Sequence, residues 1–493
     1  MPLTMSLRPL SSLAGLALAL LLAGCDSASD RAVEIAVIGD PGSPFVSGAR
    51  LPLAAQLIRS ATAEGLVGFD ERGRVIPALA DRWIVTDDGL SYIFRLRDGT
   101  WPDKSPLTGE SARTALLQAI GSLRGTALGA DLGAIDEVRA MAGRVVEIRL
   151  RQAQPDLLQL LAQPELGLVR KGRGAGPMRL VRDKRLAILR PIPPENRGLP
   201  QIEDWAERSR KLHLTAMQPG RAIEKFNAGE VDVVLGGRLA DFPRLDASGV
   251  ARGAIRFDPV AGLFGLTVVN PQGFLAAPER REALAMAIDR DALASALNVG
   301  GWTETTRIVN PGTGDDNGTV GERWPGQSIA DRQATASARV NRWAKGRAAP
   351  RLRIALPAGP GSDILFARLR ADFRAIGVET VQVRENAPAE LRLVDAVARY
   401  ARAGWFLNQL SCRMTAALCS ASADRLTGLA MVEPDPVKRA DLLAQAEAQL
   451  TIANSYIPLG VPIRWSLVSG QATGFMPNPW NVHPLLPLAM LPK

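Results

Sequence analysis

The chain has 493 residues, which is too long for one compact hydrophobic core, so its length predicts two or three domains or lobes. Hydrophobic residues make up 46% and charged residues 22% of the sequence, which is ordinary for a soluble globular protein. The formal charge of +9 comes mainly from arginine, since eight of the 59 basic residues are lysine, and no dense basic block interleaved with aromatic residues indicates nucleic-acid binding.

The first 24 residues have the pattern of a secretory signal. Arg8 is their single charge, residues 13–22 are an apolar core, and small residues follow. A membrane-spanning helix needs about 20 apolar residues, so this core is too short to span. The stretch LAGC at 22–25 also resembles a bacterial lipobox, which implies cleavage before Cys25 and lipidation of that cysteine. An ordinary cleaved signal with an incidental cysteine is the alternative.

Residues 25–32 are predicted to form a tether between the lipid and the folded part. Asp26 resembles the enterobacterial signal for retention in the inner membrane, which predicts a periplasmic protein anchored to the outer face of that membrane. Several acyl chains hold a protein stably, because each buried methylene contributes about 0.8 kcal/mol. No later stretch reaches 18 uninterrupted apolar residues, so none is predicted to span the bilayer.

The two remaining cysteines, Cys412 and Cys419, are predicted to pair as a local disulfide, because an exported protein folds in an oxidising compartment. Two free thiols are the alternative. A metal site is disfavoured, because His213 and His483 are the only histidines in the sequence and no Cys-x-x-Cys is present.

The first elements of the mature chain follow one another closely. A buried strand is predicted at 33–38, and a helix at 51–63. A hairpin with its turn at 87–89 follows within residues 81–99, and Thr108 is placed to cap the next helix.

Alternating strands and helices recur in two separated regions. The first contains strands at 212–217 and 231–235 around a helix at 219–228. The second contains strands at 351–357 and 378–383 around a helix that ends before Gly377. This repetition predicts two α/β lobes. A surface loop is predicted at 312–335, a long helix at 434–454 and a return strand at 457–460.

Several stretches resemble, in the same order, the extracellular solute-binding proteins, family 5, of peptide- and nickel-type ABC importers. The resemblance covers roughly residues 33–480, and the stretches that carry it are ALADRWIVTDDGLSYIFRLRDG (78–99), GAGPMRL (174–180), FNAGEVDVVLG (226–236), RREALAMAIDRDAL (280–293) and PDPVKRADLLAQAEAQL (434–450). Within them, Gly174-x-Gly176 is interpreted as a tight turn, Asp232 as a residue that caps or ends a strand, and Asp289-Arg290 as the end of a helix.

The resemblance implies an α/β, two-lobed periplasmic-binding-protein fold, in the large cluster-C form of type II, with an extra subdomain in the N-terminal lobe. The implied parts are a signal peptide at 1–24, a tether at 25–32, lobe I, an inserted subdomain of lobe I at 61–171, and lobe II at 266–469. Lobe I is expected to combine residues 33–60, 172–265 and 470–493.

The candidate ligand-binding residues come from one segment and from two further tryptophans. Peptide binders of the family hold the ligand's amino group with an aspartate in a Trp-x-x-Asp-Tyr-like segment, and the corresponding stretch here is AGWFLNQLSCRM at 403–414. Trp405 is present, but Asn408 replaces a charged carboxylate and cannot neutralise an ammonium group. Trp302 and Trp480 are further candidates for an aromatic pocket wall, and core packing is the alternative for each tryptophan.

The resemblance implies a monomeric binding lipoprotein without a cofactor. It captures a peptide-like or other small solute between lobes that swing about hinges near 269–271 and 462–468, and it delivers the solute to permease and ATPase subunits. A tethered sensor not coupled to transport is one alternative. A secreted hydrolase is disfavoured, because no Gly-x-Ser-x-Gly or His-Glu-x-x-His motif occurs. Peptides, nickel chelates and other amphiphilic solutes stay open as ligands.

Overall fold

The structure is a computed structural model that describes residues 31–492. The predicted signal peptide, Cys25, Asp26 and most of the tether lie outside these residues. In the described part of the chain, no helix combines the length and the apolar character needed to cross a membrane.

Strands and helices alternate along most of the chain. The strands are β1 (Val33–Ile38), β2 (Val67–Phe69), β3 (Val75–Pro77), β4 (Ala80–Val85), β5 (Ser91–Leu96), β6 (Ile135–Ala140), β7 (Val145–Leu150), β8 (Val169–Arg170), β9 (Arg173–Gly174), β10 (Met178–Asp183), β11 (Leu186–Pro191), β12 (Leu212–Met217), β13 (Val233–Arg238), β14 (Ile255–Phe257), β15 (Gly262–Val268), β16 (Arg351–Leu356), β17 (Glu379–Arg384), β18 (Leu391–Val397), β19 (Tyr456–Gly460) and β20 (Arg464–Val468). The helices are α1 (Leu53–Thr62), α2 (Gly109–Ser122), α3 (Ala127–Asp131), α4 (Leu157–Leu161), α5 (Trp205–Arg208), α6 (Pro219–Asn227), α7 (Pro243–Ala247), α8 (Pro278–Ala287), α9 (Arg290–Leu297), α10 (Ile329–Ala344), α11 (Pro360–Ala375), α12 (Ala403–Gln409), α13 (Ala421–Val432), α14 (Pro436–Ala453) and α15 (Leu485–Leu488).

A seven-stranded sheet, here called the first sheet, has the strand order β10-β11-β12-β1-β13-β20-β14. Its centre is parallel, because β1 pairs with β12 and β13 in the same direction. The sequence of β1 suits this place, since Val33, Ile35 and Val37 on one face and Ala36 on the other face are buried. Strands buried on both faces are typical of parallel pairing covered by helices.

A five-stranded sheet, here called the second sheet, has the strand order β17-β16-β18-β15-β19. The parallel pair β16–β17 is connected by α11, whose Leu365, Leu369 and Phe373 are fully buried on one face of the helix. These side chains belong to a core that contains residues of β15, β16, α8 and α9. The two α/β regions predicted from the alternation of strands and helices are therefore present.

The chain crosses between the two sheets twice. Residues 258–261 connect β14 of the first sheet to β15 of the second, and residues 461–463 connect β19 back to β20. The second crossing agrees with the predicted hinge near 462–468, whereas the first lies before the predicted hinge at 269–271. The strand β20 belongs to the first sheet, although the predicted bounds place it in lobe II. All residues of β19 and β20 are buried, so their hydrophobic pattern does not distinguish the two sheets.

An additional unit is inserted between α1 and β10. Its four-stranded antiparallel sheet has the order β4-β5-β7-β6, and α2 packs against β6 and β7. Thr108 caps α2 as predicted, because its side chain accepts a hydrogen bond from the backbone of Ser111 and the Ser111 side chain accepts one in return. The core of this unit, which includes Phe94 and Trp101, continues into residues of β18 and α12.

Two local predictions need correction. The helix α10 begins inside the predicted loop 312–335, where Ser328 accepts a hydrogen bond from the backbone of Asp331 and so caps the helix. Asp289 begins α9, as an N-cap, and does not end α8. In both cases the polar residue that was interpreted as loop or helix end is the start signal of the next helix.

Gly174 and Gly176 are required by a close approach of two backbones. A Cβ atom at Gly176 would lie 2.3 Å from the carbonyl carbon of Thr62, and one at Gly174 would lie 2.2 Å from Cβ of Ala63. The predicted tight turn is therefore the wrong reason for these glycines: they allow the chain entering β10 to pass against the end of α1.

We expect Gly176→Ala to lower the free energy of unfolding by about 1–3 kcal/mol, because the added methyl group meets backbone atoms that cannot move aside. Chemical denaturation measures this change. Gly133→Ala is the matched control, because no atom lies within 4 Å of a Cβ at that position. Equal stability of the two variants would contradict the close-approach explanation.

Candidate functional site

A cavity of about 530 Å³ lies between the N-terminal elements and the C-terminal half of the chain. One wall consists of residues 49–52 and Gln56 at the start of α1, residues 125–128 at the start of α3, and Glu165. The opposite wall consists of Arg399, Gln409 at the end of α12, and Met414. Each wall therefore comes from a different part of the chain.

Side chains of both charges line this cavity. The guanidinium of Arg399 donates to Oε1 of Gln163 at 3.1 Å and pairs with Oε1 of Glu165 at 3.4 Å. The Arg399 side chain is 29% exposed and Glu165 4% exposed, so the arginine keeps contact with solvent while its partner is buried. Arg50 adds an exposed positive charge. The site is thus suited to a ligand with polar or charged groups.

Glu165 has a second positively charged neighbour, Arg59. Burial lowers the pKa of Arg59, on α1, and the negative charge of Glu165 opposes that decrease. Glu165 therefore lies close enough to interact with Arg59 as well as with Arg399.

A buried polar cluster lies next to the cavity at the contact between α3 and α12. Asp131, at the end of α3, accepts hydrogen bonds from Oη of Tyr400 at 3.2 Å and from Nδ2 of Asn408 at 3.3 Å. Burial raises the pKa of Asp131 from 3.8 to about 6, while these hydrogen bonds and the charge of Arg399 oppose the increase. Burial also raises the pKa of Tyr400.

The candidate ligand residues fall in three different places. Trp405 and Asn408 lie on α12, which ends at the cavity, but Trp405 is 2% exposed and packs edge-on against Phe406. Trp302 packs edge-on against Phe264 and donates to the carbonyl of Val461 at 2.7 Å.

Trp480 lies near the C terminus and contacts the turn between β2 and β3. Its Nε1 donates to the carbonyl oxygen of Gly73 at 2.9 Å, and the Gly73 Cα is closely covered by the indole ring. None of the four candidates lines the cavity. Trp405 and Asn408 lie on the same helix, and Asn408 donates a hydrogen bond to Asp131.

Sequence reasoning did not identify Arg399, Glu165 or Asp131. Their partners are far away in the chain, since 234 residues separate Glu165 from Arg399 and 269 separate Asp131 from Tyr400. The available signal was the segment that contains Asn408, whose side chain donates a hydrogen bond to Asp131.

Cys412 and Cys419 form a disulfide in the segment that follows α12, with their Cα atoms 5.1 Å apart. The backbone nitrogen of Cys412 also donates to Asp424 at 3.0 Å, which connects the loop to α13. Met414, inside this loop, lines the cavity. The disulfide therefore restrains one edge of the site.

The two histidines each contact one carboxylate. Nδ1 of His213 lies 2.7 Å from Glu34, and Nε2 of His483 lies 3.1 Å from Asp258. Within residues 31–492, no group of three or more His, Cys, Asp and Glu side chains is arranged to hold a metal ion.

Residues 74–181 match the family model described as bacterial extracellular solute-binding proteins, family 5 Middle. The family resemblance is confirmed. The chain is 33% identical over 149 residues to the probable deoxycholate-binding periplasmic protein YgiS of Escherichia coli, a match that covers 26% of this chain and 27% of that protein. The match therefore spans about a quarter of the length of this curated relative.

Solved structures extend the similarity to nearly the whole chain. Haemophilus influenzae OppA in complex with RPPGFSPFR has a TM-score of 0.79 at 15% identity, over 94% of this chain and 100% of that chain. The Escherichia coli murein tripeptide binding protein MppA has a TM-score of 0.80 at 17% identity, over 94% and 99% of the two chains. Its unliganded open form has a lower TM-score, 0.64, at 17% identity over 94% and 98%. The predicted two-lobed fold is confirmed.

We expect the double variant Cys412→Ser, Cys419→Ser to be less stable by about 2–3 kcal/mol, because the bond closes a short loop and limits the unfolded chain. Differential scanning calorimetry measures the loss. Treating the wild type with reductant is expected to lower the melting temperature by the same amount, and reductant is expected to leave the variant unchanged. If reductant leaves the melting temperature of the wild type unchanged, this would contradict the disulfide's structural role.

Proposed function

We propose that this chain is the substrate-binding component of an ABC importer, which captures a small solute in the cavity between Arg399, Gln409 and Met414 on one side and the start of α1 and α3 on the other. The observation that carries the proposal is the position of this cavity. It lies where two parts of the chain face each other, in a fold whose relatives are named as binding proteins. Delivery to permease and ATPase subunits is part of the proposal.

The size and lining of the cavity support a small polar ligand. A volume of about 530 Å³ lies within the range of roughly 300–1,000 Å³ that is usual for small-molecule sites. Arg50, Arg399 and Glu165 offer charged partners, and Gln56 and Gln409 offer both donors and acceptors. We propose a peptide-like solute as the ligand class, with a metal chelate as the alternative from the same family.

Capture is proposed to work by closure about the two crossings at 258–261 and 461–463. A ligand that contacts both walls binds the closed form better than the open form, and only this difference in affinity drives closure. The ligand leaves chemically unchanged, so the chain is proposed to be a monomeric binding protein and not an enzyme.

The N-terminal segment is proposed to hold the protein in the periplasm, at the outer face of the inner membrane. The support is the sequence LAGC at 22–25, followed by Asp26. Cys25→Ser is expected to release the protein from washed membranes into the soluble fraction, because the acyl chains that anchor it are then missing. Equal membrane retention of Cys25→Ser and wild type would contradict a lipid anchor.

The solute is identified by a thermal-shift screen of di- and tripeptides, nickel–histidine and other small chelates. For a solute that binds, Arg399→Met and Gln409→Leu are expected to weaken the affinity at least tenfold, or about 1.4 kcal/mol, because each removes a polar partner from one wall. Isothermal titration calorimetry measures the affinity. Arg221→Met, at an exposed position on α6, is the matched control.

Unchanged affinity in both cavity variants would contradict the assignment of the site. Small-angle scattering of the wild type, with and without the solute, then tests closure. Compaction with the solute is expected, and unchanged dimensions at saturation would contradict the closing mechanism. A solute that binds and compacts the protein, but whose uptake is unaffected by deletion of the gene, would favour a tethered sensor over an importer component.

A further inference from the structure

The Asp131 cluster joins two parts of the chain that must separate if the cavity opens. Asp131 belongs to the unit inserted between α1 and β10, whereas Tyr400 and Asn408 follow β18 of the second sheet. In the proposed motion about 258–261 and 461–463, the inserted unit moves with the first sheet, to which it is connected in sequence. Asp131 then separates from both of its donors, together with the apolar core that the inserted unit shares with α12.

The carboxyl group of Asp131 is incompletely satisfied within the cluster. Oδ1 accepts both hydrogen bonds, whereas Oδ2 is buried and has no hydrogen-bond partner among residues 31–492. The residue is 3% exposed. A buried carboxylate with one bare oxygen is costly, and a proton on that oxygen removes the charge while Oδ1 keeps accepting.

From this geometry we propose that Asp131 is a protonation-dependent latch, which favours the closed cleft in acidic solution and weakens closure in neutral solution. The proposal rests on the proposed function in one respect, namely that the cleft opens and closes. It adds a regulation by pH, in which the proton and the solute act on the same equilibrium.

The surroundings of Asp131 leave the carboxyl group without a strong cationic partner. Arg399 contributes a positive charge from the segment after β18, but its guanidinium pairs with Glu165 and Gln163. The segment before α4 contributes Gln154, which donates to the backbone oxygen of Asp131 at 2.8 Å and not to its side chain.

Two more charged groups occur on the packed elements and compensate each other. Asp156, just before α4, lies close enough to raise the pKa of Tyr400, and it pairs with Nε of Arg402 at 2.6 Å. This ion pair is a further link between the inserted unit and the segment before α12. Burial raises the pKa of Asp156, and the charge of Arg402 opposes that increase.

The direction of the pH effect follows from linkage. The closed state holds the proton of Asp131 with a pKa of about 6, whereas an exposed aspartate in the open state returns to an ordinary value near 3.8. The closed state therefore binds more protons between these two values, and acidification favours closure. From about pH 7.5 to about pH 5, the ratio of closed to open molecules is expected to rise about tenfold.

The test compares wild type, Asp131→Asn and Asp136→Asn without any solute, at about pH 5 and about pH 7.5. Small-angle scattering reports compaction, and hydrogen exchange of residues 400–410, corrected for the intrinsic effect of pH, reports burial of α12. The wild type and the control Asp136→Asn, at an exposed position on β6, are expected to be more compact and better protected at the lower pH. Asp131→Asn is expected to be closed to the same extent at both pH values, because asparagine is neutral at both.

Tyr400→Phe provides an independent variant, since it removes a hydrogen bond that stabilises the charged carboxylate. The midpoint of the pH transition is expected to move to higher pH in this variant. Circular dichroism checks that each variant is folded. If Asp131→Asn does not fold, the shift of the midpoint in Tyr400→Phe tests the proposal by itself.

The proposal is overturned if wild type shows no pH dependence in either measurement, if Asp131→Asn responds to pH as wild type does, or if the midpoint in Tyr400→Phe does not rise. If the protein closes around an identified solute without any dependence on pH, the latch proposal is wrong and the proposed function stands. If the protein closes at low pH without binding any screened solute, the latch proposal stands and the proposed function loses support.

Discussion

The structure depends on one constraint of connectivity: two sheets are joined by two short crossings, at 258–261 and 461–463. Few backbone bonds therefore connect the two bodies, and side-chain contacts determine how they face each other. Around one crossing these contacts are polar and buried. Asp258 accepts hydrogen bonds from His483 and from the backbone of Asn478, and Arg464 pairs with Asp395 at 2.7 Å.

Farther from the crossings, the contacts between the inserted unit and the second sheet combine apolar packing with incompletely neutralised charge. Buried apolar residues of both parts share one core, in which Trp405 and Phe406 are included. Beside it lie Asp131, with one unsatisfied oxygen, and the pair between Glu165 and Arg399. In the proposed closing motion, apolar burial favours closure, whereas unsatisfied polar groups reduce it.

Local structure was largely predictable from sequence, because it depends on neighbouring residues. The bounds of β1 and β12 agree with the predicted strands, and Thr108 caps α2 as its position before a helical pattern indicates. The sheet to which β20 belongs was not predictable, since a strand buried on both faces fits either sheet. The reason for Gly176 was also hidden, because the contacting Thr62 lies more than one hundred residues earlier.

The candidate site was also predictable only in its local part. The segment 403–414 could be located through its resemblance to a ligand-binding segment, and it does border the cavity through Gln409 and Met414. The tryptophans were weaker guides, because a large apolar ring is equally suited to a core, and Trp302 and Trp480 pack away from the cavity. The pairing of charged residues such as Glu165 and Arg399 could not be predicted, because the fold brings their distant segments together.

The most direct test of solute capture is a crystal structure of the protein with a solute identified by screening. We expect the solute to lie between Arg399 and Gln409 on one wall and Gln56 and residues 125–128 on the other, with its bonds intact. A solute bound outside this cavity, or one cleaved by the protein, would contradict the account.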